Sequence, residues 1–169
     1  MIRSRAEREH HDVGVATMSA LSISQFFSAL GADLHNTRWS WGAERIRDSQ
    51  GKDAVVLRVW QDRCRMHEGT RYVMLTHMQK HGGDPSDLGY NERLTHVERI
   101  REGATCYMVM CRVKDPGASP REILWTKPPE FIFVGGELRQ LDNDGDWWIA
   151  LKDKVPAYVL IREAKQLRG

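Results

Sequence analysis

Residues 54–62 read AVVLRVWQD, an alternation that suits an extended strand and little else. Val55, Leu57 and Val59 fall on one side, and Val56, Arg58, Trp60 and Asp62 on the other. A helix would scatter both sets around its axis. Similar short runs recur along the chain. NTRWSWGAER (36–45) alternates with Thr37, Trp39 and Trp41 on one side and Asn36, Arg38 and Ser40 on the other, so it is expected to pair with 54–62 across the DSQGKD turn. TRYVMLTH, ATCYMVMCRV and FIFVGGELRQL read as further strands. WWIALKDKVPAYVLI follows the DNDGD turn and gives one or two more, with Asp144-Gly145 marking a hairpin.

Helices are fewer. Ser22 or Ser24 can cap a short helix carrying Phe26, Phe27 and Leu30, with Gly31 closing it. YNERLTHVERIREG has a narrow apolar stripe of Leu94, Val97 and Ile100 and a stop at Gly103. Ser119-Pro120-Arg121-Glu122 has capping-box spacing and predicts one helical turn. The expected class is α+β: a curved antiparallel sheet, or a partly closed β-barrel, with two or three flanking helices. Residues 1–18 form a charged segment expected to be flexible, 19–162 one domain and 163–169 a tail.

The 169 residues suffice for one hydrophobic core without staples. A formal charge of +2 excludes a strong overall field, so any nucleic-acid role has to come from a local patch. Three cysteines do not make a disulfide framework and fit free thiols in a reducing cytoplasm. No apolar run is long enough for a membrane helix, and the N-terminus lacks the pattern of a signal peptide. A cytoplasmic protein without a membrane partner is expected.

Four groups of residues can carry chemistry. Cys64, His67, His77 and His81 have outer spacings like those of structural zinc sites. Arg63 and Arg65 flank the cysteine, however, and His77 ends an expected strand, where x3 spacing does not converge. Solvated polar residues are the simpler reading, and no metal or cofactor is expected. Asp53, Asp62, Asp115 and Glu130 have no spacing suited to a nuclease centre. Cys106 and Cys111 point to opposite faces of their strand and cannot share a metal.

The third group is aromatic and basic. If 36–45 pairs with 54–62, then Trp39, Trp41 and Trp60 meet Arg38 or Arg58, with Asn36, Ser40 and Asp62 able to contact the edge of a base. Tryptophan is more often core, and both readings of Trp39 and Trp41 stay open. The fourth group is the polar side of the 90–103 helix. Its mixed charges fit a solvated face, with Arg93 and His96 as candidates for phosphate contact.

NTRWSWGA, VLRVWQD, GYNERLTHVERIREGATCYMVMC, KDPGASPREI and FVGGEL together resemble a module found in bacterial genomes alone or beside HNH-type endonuclease domains. More loosely, they resemble the PUA-like group of small barrels (the EVE, YTH and ASCH modules), which read modified or flipped bases in an aromatic pocket. The resemblance spans roughly residues 20–160. It implies a PUA-like barrel and a nucleic-acid partner, DNA or RNA, bound at Trp39, Trp41 and Trp60 in bacterial defence, restriction or RNA handling. A separate nuclease partner fits as well, because the chain carries no HNH segment. The alternatives are a small metal-dependent nuclease or hydrolase using Cys64–His81, and a structural or partner-binding protein with every tryptophan in its core.

Overall fold

The computed structural model describes residues 20–77 and 86–169. The charged N-terminal segment and His81 lie outside them. Within the described residues the order of elements is α1 (Ile23–Ala29), β1 (Gly42–Glu44), β2 (Ala54–Trp60), a 3-10 turn (Gln61–Arg63), β3 (Cys64–His67) and β4 (Thr70–Met74). Then come α2 (Leu88–Arg101), β5 (Thr105–Val113), β6 (Ile123–Leu124), β7 (Phe131–Gln140), β8 (Trp147–Pro156) and α3 (Ala157–Leu167).

The class is α+β. One mixed sheet runs β1-β2-β5-β7-β8-β4-β3, with β6 pairing β5 off this path. It does not close into a barrel. Sequence analysis expected antiparallel pairing throughout, but β2 and β5 run parallel over their whole length, from Ala54↔Thr105 to Trp60↔Cys111. Parallel neighbours need a long crossover, and the β3–β4 hairpin and α2 fill it. At β7 the register with β8 shifts on both sides of Gly135, and such bulges bend a strand. A side chain there would run into Ile149 and Cys106, so only glycine lets the strands pack this closely.

The bent sheet buries both faces. Val55, Leu57 and Val59 of β2 meet Val73, Leu75, Met108, Ile149 and the α2 residue Val97 on the inner face. Val56, Val109 and Ile132 on the outer face are covered by Phe26, Phe27 and Leu30 of the α1 region and by Leu160 of α3. Cys106 belongs to the inner cluster and Cys111 to the outer, as their odd spacing requires. Arg45 stitches the outer layer. Its guanidinium donates to the Leu30 and Leu160 carbonyls at 2.8 and 3.0 Å and pairs with Glu163 at 2.7 Å.

Several local expectations need correcting. The 36–41 stretch is not a strand: residues 37–39 form a turn and β1 begins only at Gly42. The cause is local. The Arg38 amide donates to Asn36 Oδ1 (2.9 Å), the Ser40 amide to the Asn36 carbonyl (2.9 Å) and the Asn36 amide to Ser40 Oγ (3.0 Å). Such bonds offer the backbone an alternative to a ladder. No helical turn forms at residues 119–122; the chain runs instead into β6, and the Lys114 amide donates to the Glu122 carbonyl. Residues 157–167, expected as strand and tail, form α3, whose buried Ala157, Leu160 and Ala164 follow a 3.6-residue period. Cys64–His67, which showed no strand signal, forms a hairpin with β4 through Glu68 and Gly69, both at positive φ.

α2 forms where expected, with Asp87 capping it by accepting from the Tyr90 amide and Gly103 beyond its end at φ +107°. Of the expected apolar stripe, Val97 is buried and Ile100 packs against the inner cluster, but Leu94 is exposed. Gly89, Tyr90, Arg93 and His96 face inward beside Val97. Arg93 is 3% exposed. Its guanidinium donates to the Leu75 carbonyl beyond β4 (2.8 Å), the Trp41 carbonyl before β1 (2.8 Å) and the Arg58 carbonyl in β2 (2.7 Å). One side chain thus ties together two regions of the sheet that share no ladder.

Arg93→Ala would leave the Leu75 and Arg58 carbonyls without donors, each costing about 1–3 kcal/mol, and would take from the Trp41 carbonyl one of its two donors, the Arg58 amide remaining. The expected loss is about 3–5 kcal/mol in urea unfolding. A midpoint within the error of the parent protein would show that the three-carbonyl clamp does not hold the fold.

Candidate functional site

The described residues form a cleft of about 540 Å³ where β2 ends, between the turn before β1, the N-terminus of α2 and the segment after β5. Trp39, Trp41 and Trp60 all line it, as do Arg38 and Arg58. These five, expected to meet if 36–45 paired with 54–62, do come to one place. The geometry differs from the expected one, because Trp39 sits in a turn rather than beside Trp41 on a strand. The register supplies the convergence: β1 pairs with β2 at Gly42↔Leu57, and the Arg58 amide donates to the Trp41 carbonyl at 2.8 Å.

The three indoles are half-buried but differently held. Trp41 is anchored: Tyr90 meets it edge-on at 6.4 Å, the Arg93 guanidinium lies 5.6 Å from its ring centre, and Gly89 lies flat against it. A side chain at Gly89 would collide with the indole nitrogen, so the first turn of α2 needs glycine to let Trp41 in. Trp39 has a looser neighbour, a tilted His35 ring at 5.6 Å. Trp60 leans on the outer cluster, and Arg121 covers its ring at 4.5 Å while pairing with Asp62.

Charge in the cleft is uneven. Five lining residues are arginines (Arg38, Arg58, Arg63, Arg93 and Arg121), against one carboxylate, Asp87, which already caps α2. Arg93 is spent on backbone and Arg121 on Asp62. The guanidiniums of Arg38, Arg58 and Arg63 have neither a hydrogen bond nor an ion pair among the described residues. The Nε of Arg63 is buried without a partner. Burial also lowers the pKa of Arg58 from its ordinary value, which marks an incompletely solvated cation.

The other candidates fall elsewhere. Asn36 and Ser40 build the turn that carries Trp39, and Ser40 Oγ donates to Glu92 at 3.3 Å; neither lines the cleft. Asp62 acts through Arg121 rather than facing the cavity. Arg93 lines the floor, but its bonds make it a structural clamp and not a phosphate contact. His96 is buried, 5% exposed, and lies outside the cleft. Burial, with Arg93 and Arg99 nearby, pushes its pKa down to about 4, and its Nδ1 has no partner among the described residues.

His77 lines the cleft, while His67 lies edge-on to Tyr72 and Cys64 packs beside the inner cluster. No three metal-ligating side chains come together among the described residues. The buried Cys106 and Cys111 thiols are pushed up to about 12 by desolvation, so neither is a nucleophile at neutral pH. Arg63 and Arg121 were missed as cleft residues. Arg63 sits three positions beyond Trp60, but Arg121 arrives from a segment whose spacing suggested a helix. No helix of the described residues is long and apolar enough to cross a membrane. No protein-family model, curated protein or solved structure matches the chain.

His96 sets a pH dependence. Its folded pKa lies below the ordinary value of 6.5, so the unfolded chain takes up the proton first as pH falls. Stability from this group is full above pH 6.5 and declines as the pH drops from there towards 4. In denaturation curves between pH 7.5 and 4, His96→Gln should flatten part of the acid-side decline. Parallel curves for the two proteins would mean that His96 is not held neutral by the fold.

Proposed function

We propose that the chain is a nucleic-acid-binding module which takes an unpaired or flipped base into the arginine-rich tryptophan cleft. The convergence on one cavity of three indoles and three guanidiniums without partners among the described residues carries this reading. Ligand sites occupy about 300–1,000 Å³, and this cleft falls in that range. Indoles offer flat faces on which any base stacks, and arginines meet the phosphates on either side. A protein of nearly balanced charge gains such binding only from a local patch, and the cleft supplies one.

The PUA-like resemblance supports the same reading, with a modified base in DNA or RNA as ligand and a separate nuclease as the partner that would cleave. On this reading the protein is a reader rather than an enzyme: among the described residues the one carboxylate of the lining, Asp87, caps α2. The metal-dependent alternative has no such observation behind it, as Cys64, His67 and His77 are not brought together as a ligand set.

The test is a single-stranded oligonucleotide titration followed by tryptophan quenching, with two alanine variants. Trp39→Ala should melt close to the parent protein yet lose roughly one stacked base, about 1–3 kcal/mol of affinity. Trp41→Ala should lose about 2–3 kcal/mol of stability, because Trp41 is packed against Gly89, Tyr90 and Arg93. Arg38 and Arg63 should each contribute about 0.7 to the salt slope if they meet phosphates. No quenching by DNA or RNA at low salt would end the nucleic-acid reading.

A further inference from the structure

The charged side chains of the cleft lean towards hydrogen-bond donors, and that favours some bases over others. Guanidinium and indole nitrogens only donate. The unengaged cations of the lining, Arg38, Arg58 and Arg63, are all of this kind, beside the Ser119 hydroxyl, which can also accept. The carboxylates and carbonyls close by each already accept at least one bond. Asp87 accepts from the Tyr90 amide, Asp62 from Arg121, and the Leu75, Trp41 and Arg58 carbonyls from Arg93.

Arg58 is the best placed of the three. It sits on β2 two residues before Trp60, and the Arg93 clamp grips its own carbonyl, so its backbone is fixed. Its register partner on β5 is Val109, which is apolar and cannot neutralise it. Arg38, by contrast, stands exposed on the turn.

We propose that Arg58 reads the acceptor edge of the bound base, so that the cleft selects guanine, with its O6 and N7, over adenine and cytosine. The guanidinium fork matches O6 and N7 with two parallel bonds. Adenine N6 and cytosine N4 would instead present donors to a guanidinium that can only donate, leaving both unpaired. This assignment rests on the base-binding reading above and adds the identity of the base.

The experiment is an NMR titration of the indole Nε1–H resonances with GMP, AMP, CMP and ribose 5-phosphate, on the parent protein and on Arg58→Lys. Lysine keeps the charge and loses the fork. Melting curves of both proteins confirm that the variant folds, and Arg58→Gln serves as a second variant if it does not. The expected result is GMP binding roughly ten-fold or more tighter than AMP and CMP, with this preference lost in the variant while AMP affinity stays the same. AMP or CMP binding as tightly as GMP would overturn the edge assignment and leave the base-binding reading standing. Ribose 5-phosphate binding as tightly as GMP would overturn it differently, by making Arg58 a phosphate contact. A preference for GMP that survives in the variant would remove Arg58 from the role. No binding by any of the three nucleotides would sink the base-binding reading and this inference with it.

Discussion

The Arg93 side chain is where fold and cleft become one problem. A buried guanidinium is costly unless its donors are met; here three carbonyls from three separate segments meet its two terminal nitrogens, while its Nε is buried without a partner among the described residues. Burial still lowers its pKa to about 10, which leaves it charged at neutral pH. The carbonyls belong to Leu75, Trp41 and Arg58, and each of those residues also lines the cleft. The walls are therefore set by the same bonds that join β2, β4 and the turn before β1. Helix α2 delivers the arginine, and its Gly89 receives the Trp41 indole one turn earlier. A sheet that stops short of closing as a barrel gains a fixed gap instead of a ragged one.

The distribution of charge sharpens this point. Over much of the surface, arginines find acids: Arg99 with Glu44, Arg101 with Glu98, Arg65 with Asp142. Exposed pairs of this kind add little to stability, about 0–1 kcal/mol each. They matter more for what they leave behind. With those cations matched, the cleft is where arginines gather unmatched. The ion pair of Arg121 with Asp62 holds a wall in place and engages the nearby carboxylate. A nearly neutral protein thereby concentrates positive potential at the mouth of one cavity, where low-dielectric walls screen it least.

Much of this architecture was legible because strands announce themselves by a period of two. The runs that became β2, β5, β7 and β8 alternate or are continuously apolar, and α1 carries its own cap in Ser22 and Gln25. Other parts were hidden for particular reasons. Asn36 and Ser40 turned an apparent strand into a turn through short-range bonds that residue alternation cannot reveal. The first residues of α3, Ala-Tyr-Val-Leu-Ile, have strand-like propensity, and only the later spacing of Ala164 shows the helical face. The charged look of α2 suggested a solvated helix, yet an arginine and a histidine lie on its buried side. No pattern of hydrophobicity marks a polar side chain that is buried to serve backbone carbonyls. The grouping of Trp39, Trp41 and Trp60 survived the wrong strand assignment because it needed only β1 and β2 to pair, and they do.

The parallel pairing of β2 with β5, which nothing local in the sequence signals, explains why the cleft stands where it does. Parallel strands end on the same side, so Trp60 and Cys111 close the ladder together. The chain leaving β5 then turns through Asp115 and Gly117 and comes back past the end of β2. That return brings Ser119, Pro120 and Arg121 to the cleft and sets Arg121 over Trp60. An antiparallel β5 would have carried the same segment to the far end of the sheet, some 20 Å away for six residues of strand. Crevices beyond the carboxyl ends of parallel strands are recurrent binding sites in open sheets. Here one parallel pair within an otherwise antiparallel sheet is enough to make such a crevice, and the residues flanking it are tryptophan and arginine.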